Sequence, residues 1–285
     1  MADSSPFVGA GARRRLAPAL VVPGLVIIGF VALYPLVLAL LDSITQRDNG
    51  QSPYAWVFDN PVYLKIIWRT IVTALIVAGM CVLVGYPLAY VMATTRSARA
   101  RSVLLLLVVL PFWTSFLVRV FAWLILFQPD GIVESVLQPF GFDGAILGSV
   151  WAPRIAMVQL LLPFMVLPMY ATMRGIDPSL LRAAESLGAS PREAFARIFL
   201  PLSLPGVGAG CLIVFIMSLG FYVAPALLGS PTTSLVGQAV FQQVGTLLNF
   251  GRGAALAAFL LAITLMVLGI AALMRRLLGS RTSDA

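Results

Sequence analysis

The sequence has no histidine, a single lysine, Lys65, and two cysteines, Cys81 and Cys211. Without histidine, the commonest metal ligand and the commonest general base are missing, and a Ser-His-Asp triad is excluded. A Walker A loop needs Gly-Lys-Ser or Gly-Lys-Thr, but the lysine lies in Tyr-Leu-Lys-Ile, so this chain is not a P-loop ATPase. Each cysteine lies inside an apolar stretch, where we interpret it as a packing residue. We expect a protein that is not an enzyme and binds no cofactor or metal itself.

Charged residues are also scarce, at 11 % of the 285 residues, whereas 60 % of the residues are apolar. A soluble domain of this size needs far more polar surface, so the composition indicates a membrane protein. The net charge of +8 would suit nucleic acid, but the basic residues form small groups between apolar stretches. Cationic cytoplasmic loops explain the same net charge, and we expect no nucleic-acid partner.

Six apolar segments are long enough to cross a bilayer as helices. Helices are predicted rather than a barrel because the segments show no alternation of polar and apolar residues. We expect an all-α bundle of six transmembrane helices in one domain, residues 16–276, between short tails at 1–15 and 277–285. The predicted spans are residues 16–41, 66–92, 103–127, 150–173, 206–228 and 254–274.

Small residues and prolines inside the spans predict close packing and kinks. Gly206 and Gly210 form a small-xxx-small step where another helix can approach closely. Internal prolines each remove a helix hydrogen bond. These features are typical of membrane helices in general, and kinked helices around a pathway are the functional alternative. The prolines are Pro35, Pro87, Pro111, Pro163, Pro168 and Pro225.

Basic residues predict the orientation of the chain. Thirteen of the 19 Lys and Arg fall on one side of the predicted bundle, and the positive-inside rule makes that side cytoplasmic. Both termini are then inside. The first apolar run exceeds the roughly 7–15 residues of a signal peptide, so we expect a retained span. The thirteen are Arg13, Arg14, Arg15, Arg96, Arg99, Arg101, Arg174, Arg182, Arg192, Arg197, Arg275, Arg276 and Arg281.

The cytoplasmic loop at residues 174–205 is longer than a connector requires, and its first half predicts a helix. Asp177 followed by Pro178 is typical of a helix start. Gly188 is placed to end the helix in a left-handed C-cap. Four apolar residues are expected to line one face at helical spacing, namely Leu180, Leu181, Ala184 and Leu187.

The second half of the loop predicts another helix. Ser190 and Glu193 have the spacing of a capping box, and we expect Leu200-Pro201 and Pro205 to end the helix. Two interpretations stay open from these residues alone. The pair of helices lies flat on the lipid surface, or it docks onto a cytoplasmic partner.

The spacing within this loop resembles the EAA loop of permease subunits of bacterial ABC importers. That motif consists of EAA, three residues, Gly, nine residues, Ile, one residue and Leu-Pro. Every position agrees except the first, where Arg182 stands in place of the usual Glu, so a charge contact of that Glu is in doubt here. The loop residues concerned are Arg182, Ala183, Ala184, Glu185, Gly188, Ala189, Ile198, Leu200 and Pro201.

The resemblance implies a type I ABC-importer permease fold in the bacterial inner membrane. It also implies that the loop is a coupling helix, seated in a groove of an ATPase subunit. ATP would then be bound by a dimer of separate ATP-binding subunits. A periplasmic protein would deliver the solute, and a second permease, a different chain rather than a second copy, would complete the pathway.

Two further stretches resemble permeases of spermidine/putrescine importers. They are Leu-Pro-Phe-Trp-Thr-Ser-Phe-Leu-Val-Arg at residues 110–119 and Tyr-Pro-Leu-Ala-Tyr at residues 86–90. The resemblance implies a polyamine as solute. Importers of iron(III), phosphonates or opines have similar spans and remain alternatives. An ion-coupled secondary transporter is disfavoured because the acidic residues lie at helix ends and in loops.

Arg119 is the most conspicuous charge within a predicted span, in its outer half. It is either structural, pairing with an acid such as Asp130 or Glu134, or part of the translocation pathway. It would repel a polyamine, so we expect a gate or counter-ion role there. Aromatic residues either pack or offer cation–π contacts to a polyamine, and the candidates are Trp113, Phe116, Trp123 and Tyr222. The outer loop at residues 128–149 has Asp130, Glu134 and Asp143 and no basic residue; either it docks a periplasmic protein or it only reflects the charge bias of that side.

Overall fold

A computed structural model describes residues 10–46, 50–129, 131–140 and 146–280, without the side chains of 10–21, 23, 25, 137, 140 and 275–280. Within these ranges the chain is helical and contains no strand, which confirms the predicted all-α class. The helices are α1 Ala10–Thr45, α2 Pro53–Asp59, α3 Pro61–Thr94, α4 Ala98–Val109, α5 Phe116–Leu126, α6 Ile132–Leu137, α7 Trp151–Arg174, α8 Pro178–Ser186, α9 Pro191–Ala194, α10 Leu200–Leu219, α11 Val223–Leu228, α12 Val236–Phe241 and α13 Phe250–Ser280.

Five helical stretches of the described chain are long and apolar enough to cross a membrane, or six if one bent pair counts as a span. They correspond in order to the six predicted segments. The five are Val26–Thr45, Pro61–Thr94, Trp151–Arg174, Pro191–Leu219 and Phe250–Met274, and the bent pair is Ala98–Trp113 with Phe116–Leu126.

The core of the bundle lies between α3, α7 and α10. Glycines on α10 allow the closest approach. A Cβ atom at Gly206 would lie 2.6 Å from the Thr172 hydroxyl, and one at Gly210 would lie 2.7 Å from the sulfur of Met165. No side chain fits at either position, so the predicted small-xxx-small contact is confirmed, and its partner is α7.

A smaller apolar cluster closes the opposite end of the bundle from the long loop. Trp56 and Val57 of α2 pack there against Val236 of α12 and Leu256 of α13. The hydroxyls of Ser43 and Tyr54 lie 2.9 Å apart and join α1 to α2. These contacts fix the ends of the outer helices, whereas most described side chains of α1 from residue 22 onwards are exposed.

The third predicted span, residues 103–127, is not one helix, and its continuity was predicted wrongly. The chain bends by 96° between Trp113 and Phe116. Pro111 cannot donate a backbone hydrogen bond, and the helix tightens into a 3₁₀ turn at Leu110–Trp113. The backbone N–H and the hydroxyl of Thr114 both donate to the carbonyl oxygen of Pro111, which ends the turn.

The fifth predicted span, residues 206–228, also differs from the structure. The helix runs unbroken from Pro191 to Leu219, so the prediction that Pro201 and Pro205 end the loop helix was wrong. A π-turn at Phe195–Phe199 widens the helix just before Pro201, where the N–H of Leu200 bonds to the Phe195 carbonyl. The helix then ends at Gly220, and α11 is a separate short helix.

Candidate functional site

The start of α8 is held by a side-chain cap, as predicted. The carboxylate of Asp177 accepts a hydrogen bond of 2.8 Å from the backbone N–H of Ser179, and Pro178 occupies the first turn. That hydrogen bond lowers the pKa of the Asp177 carboxyl, so the residue is ionised at neutral pH. A negative charge at a helix N-terminus also complements the helix dipole.

The end of α8 has the geometry of a Schellman motif. Gly188 has φ +90°, a conformation that L side chains rarely adopt, and the predicted left-handed C-cap is confirmed. Its N–H donates to the carbonyl of Glu185, and the N–H of Ala189 donates to that of Ala184, each at 3.0 Å. Helix α8 therefore has a defined length and a defined exit direction.

The second helix of the loop begins with the predicted capping box. The hydroxyl of Ser190 accepts from the backbone N–H of Glu193 at 3.3 Å, and the Glu193 carboxylate accepts from the backbone N–H of Ser190 at 3.0 Å. Both hydrogen bonds satisfy donors that a helix start leaves unpaired. Only Ala189 separates Gly188, the C-cap glycine of α8, from Ser190, so the two helices are joined by one tight turn.

The apolar stripe of α8 is divided between two directions, and the prediction of one common face is only partly right. Leu181 and Ala184 are half-buried, with Leu181 packed against the bundle core. Leu180 and Leu187 are exposed, and Leu187 is 89 % exposed. The helix therefore packs on the bundle with one side of the stripe, and no described residue covers the other side.

The second helix of the loop is seated on α3 through aromatic residues. The ring of Tyr90 packs edge-on against Phe195 and Phe199, with centroids 5.4 Å and 5.1 Å away. The hydroxyls of Tyr86 and Ser203 lie 3.0 Å apart. Tyr86 and Tyr90 entered the sequence analysis only as part of a resemblance, and no local pattern indicated that they hold the loop.

The remaining motif residues occupy three kinds of position. Ile198 lies in the π-turn and is half-buried. Ala189, in the turn between the two loop helices, is also half-buried. Leu200 and Pro201 are exposed on the first turn of α10. Arg182, Ala183 and Glu185 are exposed on α8. The motif thus spans both helices, and its small or exposed members leave α8 accessible from the side opposite the bundle.

The aromatic residues predicted to line a pathway do not meet at one point. Phe116 packs edge-on against Phe221 at 5.8 Å, which brings α5 to the end of α10. Tyr222 stacks near Phe241 at 4.8 Å. Trp113 stands apart, 88 % exposed at the bend. Phe116 and Tyr222 are therefore near the same break in the fifth span, whereas Trp113 belongs to the break in the third.

Trp123 and Arg119 lie on α5. The indole N–H of Trp123 donates to the side-chain oxygen of Gln159 at 3.4 Å, a contact that the sequence did not indicate. Arg119 is half-buried, and its buried Nε has no hydrogen-bond partner among the described residues. Its predicted pairing with Asp130 and the predicted role of Asp143 concern residues outside the described ranges.

Arg154 is a buried cation that sequence reasoning placed only at a helix end. It is 8 % exposed, and its Nε and an Nη donate to the hydroxyl of Thr73 at 3.4 Å and 3.3 Å. Its guanidinium also lies over the ring of Trp151. On the same side, Arg69 donates to the carbonyl of Ser234. These contacts attach the segment before α12 and the start of α7 to the N-terminal half of α3.

Residues 85–282 match a family described as binding-protein-dependent transport system inner membrane component. The chain is 37 % identical over 222 residues to the spermidine/putrescine transport system permease protein PotB of Haemophilus influenzae, covering 74 % of this chain and 77 % of that protein. It is 32 % identical over 265 residues to PotB of Salmonella typhimurium, covering 92 % and 90 %. In fold it is similar to a chain of a bacterial alginate ABC transporter in complex with a periplasmic protein carrying an alginate pentasaccharide, with TM-score 0.73, 20 % identity and coverage of 96 % and 98 %.

Proposed function

The chain belongs to the family of inner membrane components of binding-protein-dependent transport systems, and from that premise we propose that it carries a polyamine across the bacterial inner membrane. As a member it is a multi-pass permease subunit of an ABC importer with the type I fold, not an enzyme. It works with ATP-binding subunits and a periplasmic binding protein. The proposal that the solute is spermidine or putrescine rests on the identity to two PotB proteins over most of the chain.

We propose that α8 is the coupling helix that docks into the ATPase. Its exposed apolar side, with Leu180, Ala183 and Leu187, is the surface available for a groove of the partner. Caps at both ends make α8 rigid, and the following helix continues into the fifth span. Movement of the docked helix is therefore passed to the membrane without a flexible link. The exposed side chains of Arg182 and Glu185 add charge to α8 beside this surface. Gly188 and Ala189 set the direction in which the chain leaves α8.

We propose that the bend in the third span lines the pathway. Thr114 and Ser115 are exposed and non-helical, with ψ of 143° and 133°. Irregular backbone inside a bilayer is tolerated where it faces protein or water rather than lipid. The second permease and the aqueous pathway together satisfy that requirement, and Phe116 and Tyr222 then offer cation–π contacts to a polyamine.

Arg119 has a different proposed role. A guanidinium would repel a polyamine, so it acts as a gate or counter-ion rather than as a binding group. Trp113 and Trp123 lie on either side of it along the chain. Their contacts differ, because Trp123 is held by Gln159 and Trp113 is exposed. Of these two tryptophans, Trp113 is therefore the one whose ring is free to contact a solute or the second permease.

We also propose that both termini are cytoplasmic and that the second permease is a different chain. The distribution of arginines supports the orientation, since the loops at residues 95–97 and 175–190 lie at the same end of α3 and α7. Arg13 to Arg15, Arg275, Arg276 and Arg281, which also support it, lie outside the described side chains. The mass of the transporter purified through this chain would distinguish two permeases from two copies.

Uptake into proteoliposomes tests the proposed function. The reconstituted importer should accumulate labelled spermidine or putrescine only with internal ATP and external binding protein, and an ionophore should not abolish uptake. Uptake of iron(III), a phosphonate or an opine without polyamine would overturn the solute assignment. Collapse of uptake with the ionophore alone would instead indicate ion coupling.

A further inference from the structure

The side of α8 that faces away from the helix bundle carries a cation. Leu181 and Ala184 are half-buried and mark the side that faces the bundle. At the helical spacing of about 100° per residue, Arg182 lies on the opposite side with two serines. All three are exposed, so this side is polar, small and positively charged. The serines are Ser179 and Ser186.

Two of the three acidic residues in the loop are already used as helix caps. The carboxylate of Asp177 accepts the N–H of Ser179 at 2.8 Å. The carboxylate of Glu193 accepts both the N–H and the hydroxyl of Ser190, each at 3.0 Å. Capping carboxylates are directed at backbone donors and helix dipoles. They are therefore poor partners for the arginines of the same loop.

The arginines of the loop differ in how far they are engaged. Arg174 donates to the hydroxyl of Tyr170 at 2.8 Å. For Arg182, no ion pair or side-chain hydrogen bond occurs among the described residues, and its side chain is exposed. The hydrogen bonds from Ser179 are the main cause of the lowered pKa of Asp177, and the charge of Arg182 lowers that pKa less.

We propose that the groove of the ATPase supplies a carboxylate opposite Arg182. This rests on the proposed docking of α8. A cation that is removed from water at an interface needs an anionic partner, because an unpaired buried charge is strongly unfavourable. Glu185, the third acidic residue of the loop, is exposed three positions after Arg182, but the two form no ion pair among the described residues, and an exposed pair would contribute little, so we expect the partner to bring the carboxylate. The exposed Leu187 gives the docking its apolar contact, and Arg182 selects an ATPase by charge.

Rebinding of the purified ATPase subunit to the stripped transporter in phosphatidylcholine nanodiscs tests the proposal. Arg182→Glu should raise the Kd of the ATPase about tenfold and Arg182→Gln about threefold, since an opposed like charge is worse than a lost pair. Arg192→Glu is the matched control, an equal charge change at an exposed residue of the second helix, and should change the Kd less than about twofold. Added salt should weaken the wild type more than Arg182→Gln.

A charge reversal in the partner makes the test decisive. Acidic residues lining the ATPase groove are changed one at a time to lysine, and one of them should restore binding of Arg182→Glu. Equal affinity of Arg182→Glu and wild type would overturn the proposal. An effect that appears only when phosphatidylglycerol is added would assign Arg182 to anionic lipid and overturn it as well.

A separate variant shows whether the proposed docking itself fails. Leu187→Asp should abolish ATPase binding whatever the charge at residue 182. If Leu187→Asp leaves binding intact, α8 is not the docking helix and the proposed coupling role falls. If Leu187→Asp abolishes binding but Arg182→Glu does not alter it, only the carboxylate partner is refuted.

Discussion

The loop at residues 174–205 and the third span reach their shapes by opposite routes. In the loop, Asp177, Gly188 and Ser190 each fix the backbone through hydrogen bonds to residues at most six positions away. In the third span, Pro111 and Thr114 end a helix in the middle of an apolar segment, and the described part of the chain leaves the bend exposed. The loop is defined by its own sequence, whereas the bend depends on the surface that will cover it.

Helix caps and prolines therefore differ in how strongly they determine the local structure. A cap adds hydrogen bonds that an uncapped helix start would leave unmade, so it favours one structure wherever it occurs. A proline only removes a hydrogen bond, and the helix then kinks, widens or breaks according to its neighbours. Pro87 and Pro163 lie inside helices that continue, and Pro111 lies where one breaks.

The largest expected effect is on α10, the helix that continues from the loop into the bundle. Gly210→Val places side-chain atoms where a Cβ alone would lie 2.7 Å from the sulfur of Met165, so α7 and α10 must separate. We expect loss of assembled transporter, measured as the yield of the monodisperse complex. Gly208→Val is the control, because nothing lies within 4 Å of a Cβ there. Equal yields would show that the close contact is not required.

The next largest effect should impair coupling through the loop while leaving the membrane spans intact. Gly188→Val puts a β-branched residue at φ +90°, which costs about 1–2 kcal/mol or more of local strain and disturbs the exit of α8. We expect substrate-stimulated ATP hydrolysis to fall about tenfold or more while membrane insertion persists. Gly175→Ala, in the same loop at φ −78°, should be near neutral. A helix pair resting on lipid predicts that both changes are tolerated.

A smaller effect should appear when the bend alone is altered. Pro111→Ala restores an N–H that can continue the helix, and uptake should fall severalfold while binding of the ATPase is unchanged. Pro87→Ala, at an exposed proline of a helix that does not break, is the control for the loss of a proline. Uptake equal to wild type in Pro111→Ala would contradict a role for the bend.

The smallest effect concerns the cap at Asp177. Asn caps helices about as well as Asp, so Asp177→Asn should leave coupling near wild type at neutral pH. The lowered pKa of Asp177 means that its charge stabilises the folded loop above the ordinary carboxyl pKa and that this contribution is lost as pH falls through the folded-state value. ATP hydrolysis of wild type and Asp177→Asn, compared across acidic pH, should therefore diverge only at low pH. A difference at neutral pH would contradict the capping role.

The sequence predicted the loop better than the spans because of these local signals. The caps at Asp177, Gly188 and Ser190–Glu193 all occur as predicted, since each is a short-range pattern with one favourable outcome. The seat of the loop on Tyr86 and Tyr90 was missed, because it joins residues more than 100 positions apart. Six apolar segments were found by hydropathy, which reports length and composition only.

The errors in the spans share a cause. Pro201 was expected to end a helix, but the π-turn before it accommodates the missing donor. The third span was expected to continue as one helix kinked at Pro111, but the helix breaks there. Nothing in the neighbouring residues distinguishes the two outcomes, since packing against other helices decides them. The same holds for Trp113 and Phe116, whose exposed and packed positions follow from the bend.

The unbroken helix from Pro191 to Leu219 makes the loop and the fifth span a single lever. Its 29 residues correspond to about 44 Å at the usual rise per residue. Phe195 and Phe199 rest on Tyr90 near the end of the rod that adjoins α8, so a rigid rod pivoting there would carry a small displacement of α8 to a larger arc at Leu219. The short arm is on the side of α8 and the long arm runs through the helix bundle, which amplifies distance at the expense of force.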